Sequence, residues 1–386
     1  LVVAIEKAEA PVRRLIAKLR QQNLTVATTG AGSANQSVQT DEKKPDARVE
    51  EEKESIVRLE HGGSLIIDGI EQKFVMQSGR INHAVKGIFL GIPKGEVFGL
   101  LGMNGAGKTT LLHTIQGKHV PAAGDCSIEK ISAVTDSDRA RELFGICPQH
   151  DVLWEEVSPR QHLVAFANIR GVPKENVDTV VTALLKRLDI NHKANAPSKT
   201  LSGGQKRKVS IAMAVIGNPT CVFLDEPTTG LDPNTRRFVW DYIMELKEGR
   251  VVVLTTHSME EADALCGRIG IMVNGRLMTL GTPQQLKKAY GTGYKFVLSM
   301  KGNVDNANET IGKVLEKKYT EDLQFDDLAS SETHRVFSIK RSDLDFGELF
   351  QLLEDHREAV GLEDYSVTQA SMDEVFKNFA RFQMSE

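Results

Sequence analysis

The strongest constraint on this chain lies where an apolar run meets a glycine-rich loop. Val97-Phe98-Gly99-Leu100-Leu101 is followed directly by Gly102-Met103-Asn104-Gly105-Ala106-Gly107-Lys108-Thr109-Thr110. A run without polar alternation reads as a strand buried on both faces, which calls for a parallel sheet covered by other layers. The loop fits G-x-x-x-x-G-K-[ST], with a strand before it and a helix after it. Its glycines let backbone wrap phosphate oxygens, and the helix N-terminus adds unpaired N–H groups and its dipole. Lys108 is placed to reach β- and γ-phosphates, and the Thr109 hydroxyl to ligate Mg²⁺. A layered α/β fold is expected around this loop.

A second stretch, Leu201 to Pro233, supplies complementary chemistry. Leu201-Ser202-Gly203-Gly204-Gln205 puts small residues at a helix start, where backbone N–H groups can face an anion closely. Cys221-Val222-Phe223-Leu224 reads as another buried parallel strand, and its C-terminal end presents the adjacent carboxylates Asp225 and Glu226. In open α/β sheets that end is where ligands bind. A phosphate loop, an anion-binding helix start and a two-carboxylate strand end point to nucleotide chemistry.

Composition narrows the class. A length of 386 residues accommodates two domains with proper cores. The net charge of −4 argues against a nucleic-acid partner, whose footprint is normally basic. The cysteines Cys126, Cys147, Cys221 and Cys266 are scattered without metal-ligand spacing, so reduced thiols in a cytosolic setting are expected. No apolar run approaches the ~20 residues of a membrane span. The chain begins with Leu and reads as a piece of something longer.

In order, residues 1–24 read as an amphipathic helix, Leu15, Ile16 and Leu19 alternating with Arg13, Arg14, Lys18 and Arg20. A juxtamembrane segment attracted to anionic lipid and a solvated helix both fit that pattern. Residues 25–63 hold almost nothing to bury and read as a disordered polar linker. Residues 64–290 form the nucleotide-binding part. Within it, Ser158-Pro159-Arg160-Gln161 predicts a capped helix start with Gly171 as its stop, and Asn274-Gly275 predicts a hairpin. Thr282 and Pro283 begin its closing helix. From 291 to 386, strands at 294–300, 335–340 and 365–369 alternate with helices at 305–319, 345–360 and from Ser371. That pattern predicts a small α+β domain, ferredoxin-like, with a regulatory or structural role.

Taken in order, these motifs resemble the nucleotide-binding domain of an ABC transporter. The loop ending in Lys108 matches the family's Walker A motif, Gln149 its Q-loop, and Leu201 to Gln205 its LSGGQ signature. Cys221 to Asp225 match Walker B with Glu226 following, Leu231-Asp232 the D-loop, and His257 the H-loop. Phe74 stands where the family keeps an adenine-stacking aromatic, usually Tyr. Cys147-Pro148-Gln149-His150-Asp151, Val273-Asn274-Gly275-Arg276 and the C-terminal Glu363-Asp364-Tyr365-Ser366-Val367, with Asn378-Phe379-Ala380, are similar to subfamily A, the large lipid exporters, and more to their second half.

The resemblance implies a P-loop NTPase fold with a RecA-like core and the ABC α-helical subdomain. It implies ATP as ligand, held by Phe74, Gly102, Asn104, Gly105, Ala106, Gly107, Lys108, Thr109 and Thr110. Mg²⁺ would be held by Thr109, Gln149 and Asp225. Glu226 would polarise the attacking water and His257 would contact the γ-phosphate and stabilise the closed site, with Gln149 the third catalytic residue. Ser202, Gly203, Gly204, Gln205 and Asp232 would serve ATP held by a second nucleotide-binding domain, arranged head to tail. Transmembrane domains outside this chain would be the other partner, and the place of work the cytoplasmic face of a membrane. A bacterial drug-exporter subunit and a soluble, non-transport ABC ATPase share parts of the pattern. Lys206-Arg207-Lys208 reads equally as phosphate attraction or as an exposed helix turn.

Overall fold

A computed structural model of the chain describes residues 45–57, 64–76, 79–291, 293–300, 323–325, 334–339, 345–369 and 371–384. The helices expected at 1–24 and 305–319 lie outside those residues. In chain order the elements begin with α1 (Ala47–Val57), β1 (Leu65–Val75), β2 (Ile81–Ile92), β3 (Val97–Leu101), α2 (Lys108–Ile115), β4 (Ala123–Ile128), β5 (Ile131–Ser132), α3 (Ser137–Glu142) and β6 (Phe144–Cys147). Next come α4 (Pro159–Ile169), α5 (Lys174–Arg187), α6 (Gly203–Val215), β7 (Cys221–Asp225), α7 (Pro233–Leu246), β8 (Val251–Thr255), α8 (Met259–Leu265), β9 (Arg268–Val273), β10 (Arg276–Gly281) and α9 (Pro283–Tyr290). The last described elements are β11 (Tyr294–Met300), β12 (Leu323–Phe325), β13 (His334–Ile339), α10 (Phe346–Asp355), α11 (Arg357–Val360), β14 (Leu362–Gln369) and α12 (Met372–Met384).

The central sheet runs β10-β9-β3-β8-β7-β6. Its strands are parallel except β10, which returns from β9 through a hairpin. Asn274 and Gly275 turn that hairpin at φ 47° and 80°, the two positive values a type I′ turn demands. The strands are apolar on both faces because both faces are covered. Along β7, Cys221 and Phe223 join one core while Val222 and Leu224 join another, and β8 divides Val251 and Val253 from Val252 and Leu254 in the same way. One core fills the space toward α2 and an antiparallel sheet ordered β2-β1-β4-β5. The other holds α4, α5, α6 and α7.

Local chemistry sets the helix starts. Ser158 and Gln161 form a reciprocal capping box with Pro159 at the first helical position of α4, as the sequence predicts, and Thr282 with Gln285 does the same for α9. The linker reading of residues 25–63 is corrected over 47–57, which is helical. Val49 and Ile56 of α1 are buried, and Glu52 accepts from the Gly91 amide at 2.9 Å and pairs with Arg268 at 3.4 Å. A few well-placed side chains outweigh a composition that otherwise reads as solvated.

The third sheet, ordered β12-β13-β11-β14, is antiparallel throughout. Numbered from its own first strand, this is the order of a ferredoxin-like α+β sheet. Leu349 and Leu353 of α10 pack onto Phe296, Leu298 and Phe337. Two details differ from expectation. A fourth strand, β12, is present, and the helix expected over 345–360 is split where His356 leaves helical geometry at φ −106° and ψ 4°. Helix α12 instead joins the core that holds α4, α5, α6 and α7, through Met372, Val375 and Phe379. Phe379 meets Tyr290 edge-on at 4.8 Å, and the Asn378 amide donates to the Tyr290 carbonyl at 2.9 Å.

Candidate nucleotide site

The loop between β3 and α2 is held in shape before any ligand is considered. Gly107, the residue before α2, lies at φ 103°, and a Cβ there would come within 2.5 Å of the Ala84 carbonyl oxygen. Neither the angle nor the space suits any other residue. The Ala106 carbonyl accepts from the Gly275 amide at 2.9 Å, so the β9–β10 hairpin braces the loop from outside. The Lys108 ammonium folds back across the loop and donates to the carbonyls of Gly102 at 2.6 Å and Met103 at 3.1 Å. Burial lowers its pKa, and the nearby carboxylates of Glu226 and Asp225 oppose that shift.

A cleft of about 690 Å³ opens above this loop, and most of the expected residues converge on it. Asn104, Gly105, Ala106, Gly107, Lys108, Thr109 and Thr110 form its floor, and Gln149, Asp225 and Glu226 form one wall. Phe74, near the end of β1, also lines the cleft and meets the His119 ring edge-on at 5.3 Å. Gly102 is not in the lining, and its carbonyl accepts from Lys108.

The carboxylate wall is built by β7 and its neighbours. Asp225 is the last residue of β7 and accepts from the Thr255 hydroxyl at the end of β8. Glu226 follows with φ 46°, the left-handed region that few side-chain-bearing residues enter. Its amide donates to the Thr255 carbonyl at 3.0 Å, so the strand pairing holds this turn. Its carboxylate accepts from Gln149 Nε2 at 3.0 Å and from the Thr229 hydroxyl at 3.2 Å. His257 Nδ1 stands 3.4 Å from the same carboxylate, although His257 is absent from the cleft lining.

The remaining expected residues lie elsewhere on this chain. Ser202 caps α6, accepting from the Gln205 amide at 3.3 Å while Gln205 accepts from the Ser202 amide at 3.0 Å. A Cβ on Gly203 would meet nothing within 4 Å, whereas one on Gly204 would press within 2.9 Å of Thr235. Gly203 is therefore open for an approaching group, and Gly204 is needed for the seam with α7. Asp232 caps α7 through the Thr235 amide at 3.0 Å.

The reading of Lys206-Arg207-Lys208 as an exposed turn or phosphate lure is corrected for two of the three. Arg207 is 3% exposed and Lys208 9%. Lys208 lies over the Phe238 ring at 3.7 Å, and Arg207 donates to backbone carbonyls. The signal was the apolar run downstream, Val209 to Val215, broken only by Ser210. A helix apolar all round is packed all round, and draws its first turn inside. Glu261 was also missed. It is buried at the start of α8 and accepts from Thr228 at 2.7 Å and Trp240 at 3.2 Å, its pKa raised by burial.

The sequence profile of the ABC transporter family matches residues 85–229, the span from β2 to the carboxylate loop. This chain carries an ABC transporter ATP-binding domain. The chain is 41% identical over 306 residues to ABC transporter A family member 11 of Arabidopsis thaliana, covering 78% of this chain and 32% of that protein. It is 40% identical over 305 residues to the phospholipid-transporting ATPase ABCA3 of Rattus norvegicus, covering 78% of this chain and 18% of that one. Such relatives place the domain in subfamily A, and the chain spans a third or less of their length. Among solved structures, the ATP-binding subunit of an ABC transporter superposes with a TM-score of 0.53 at 27% identity, covering 58% of this chain and 92% of that one. A dimeric ATP-binding cassette in a post-hydrolysis state, bound to ADP and Pi, gives 0.52 at 25% identity, over 56% of this chain and 98% of that one. The core is thus the P-loop NTPase fold of an ABC ATPase.

Proposed function

We propose that the chain is the ATP-driven motor of a subfamily A exporter, working at the cytoplasmic face of a membrane and moving a lipid between or across leaflets. In this reading residues 64–290 bind and hydrolyse ATP, residues 291–386 regulate them, and residues 1–24 approach the membrane. The observation that carries it is Glu226, held over the phosphate loop's cleft by Gln149, Thr229 and the end of β8.

Phosphoryl transfer asks a protein for positioning and charge neutralisation. Lys108 would exchange its carbonyl partners for phosphate oxygens, with the amides of 104–110 beneath them. Phe74 offers a face for the base. The Thr109 hydroxyl, the Gln149 amide oxygen and the Asp225 carboxylate are the hard oxygen donors Mg²⁺ prefers, and all three residues line one cleft. Bound there, Mg²⁺ would neutralise charge between the phosphates. Glu226 would take the proton of the attacking water, and His257 would keep its carboxylate oriented toward that water. Ser202, Gly203, Gly204, Gln205 and Asp232 lie outside this cleft, which fits service to a second cassette's nucleotide in a head-to-tail pair. The membrane domains would be the further partner. Among the described residues no helix is long and apolar enough to cross a membrane.

If catalysis needs two cassettes, Mg²⁺-dependent hydrolysis by the isolated chain should rise in specific activity with protein concentration and then saturate. Activity proportional to concentration over the whole range, down to nanomolar protein, would contradict a shared site.

A further inference from the structure

We infer that Arg207 is a positioning residue that locks the Gln149 loop and the Glu226 turn together and ties both to the first turn of α6. This rests on the proposed hydrolytic role of the same site. The guanidinium sits between two backbone segments that are far apart in sequence. On one side Nη1 donates to the carbonyls of Pro148 at 2.6 Å and Gln149 at 3.2 Å, and to the Asp151 carboxylate at 3.2 Å. On the other, Nη2 donates to the carbonyls of Asp225 at 2.7 Å and Glu226 at 3.0 Å, and Nε to that of Pro227 at 2.8 Å. Ser210, one turn further along α6, donates to the same Asp151 oxygen at 2.8 Å and fixes the anionic end of the cluster.

Three successive carbonyls, 225 to 227, meet one guanidinium where Glu226 turns the chain at positive φ. Such a turn is costly for a residue with a side chain and persists only where its surroundings hold it. A planar fork with five donors can satisfy both segments at once, and an ammonium on a flexible stem cannot. The hydrogen bonds of Arg207 go to backbone carbonyls and to Asp151, not to a cleft-lining side chain, so its effect on catalysis passes through the backbone that carries Gln149 and Glu226. It also stands two residues beyond Gln205. Any shift of the exposed start of α6 therefore reaches both loops through one side chain.

The test compares wild type, Arg207→Lys and Arg207→Met in the 386-residue chain, by ATPase kinetics and by hydrogen exchange of the amides at 149–151, 225–226 and 228–229. Both variants are expected to lose kcat by about 10- to 100-fold, the scale of a misplaced catalytic group, with KM for MgATP within about threefold. Exchange should quicken in the two loops together. Wild-type kcat in Arg207→Met, or faster exchange confined to α6, would overturn the inference. Should the methionine variant fail to fold, the lysine variant, which keeps charge and stem, decides by the same readouts. Absence of hydrolysis in wild type would count against the ATPase reading alone, and the exchange comparison would still decide whether Arg207 couples the loops.

Discussion

Glu226→Gln is expected to slow ATP hydrolysis by about 10²- to 10⁴-fold, the range for a lost general base. That is about 3–5 kcal/mol of transition-state stabilisation. The substitution keeps the shape of the side chain, so partners that donate to Oε2, Gln149 and Thr229, still find an oxygen to meet. What disappears is the capacity to accept a proton from water. Affinity for MgATP should stay close to wild type, because in the proposed site the loop and Lys108 hold the phosphates. Rapid-quench turnover beside equilibrium nucleotide binding separates the two. Unchanged turnover would remove Glu226 from the chemistry and leave its positive-φ turn without a catalytic reason.

Lys108→Ala should act on binding itself. Removing one partner of a buried charge-to-phosphate contact costs about 2–5 kcal/mol, some 30- to 4,000-fold in Kd. Lys108 also bridges Gly102 and Met103, so its loss takes two hydrogen bonds from the loop as well. Thermal unfolding distinguishes these effects. The melting point without nucleotide should move little, while the rise produced by saturating MgATP in wild type should vanish. Retained affinity in this variant would contradict the phosphate-loop assignment.

Much of this arrangement was legible because each element of the proposed site carries its context with it. The loop at 102–110 sits between a bilaterally apolar strand and a helix, and Asp225-Glu226 ends a second such strand, so sheet, loop and carboxylate wall follow from local pattern. Caps at Ser158 and Thr282 and the hairpin at Asn274-Gly275 are short-range chemistry and were equally readable. Long-range polar contacts were not. Arg207 looks like one of three solvated bases until β7 and the Gln149 loop are folded around it, and no spacing rule announces a guanidinium shared by carbonyls at 148 and 226. Helix α1 escaped notice because its stability comes from Glu52 reaching Gly91 and Arg268, not from its own composition. The strand at 323–325 is too short to show periodicity.

In the proposed head-to-tail pair, one chain's Ser202–Gln205 completes the site built on another chain's Lys108. Mixing two inactive variants tests it most directly: Lys108→Ala, with an intact α6 start, and Gly203→Asp, with an intact phosphate loop. The aspartate would enter the open space above Gly203 and oppose an approaching phosphate. Random head-to-tail pairing of equal amounts makes half the dimers mixed, each with one site built from two intact halves, so about a quarter of wild-type activity should return. Activity that never rises above the sum of the two variants alone would contradict a site shared between chains.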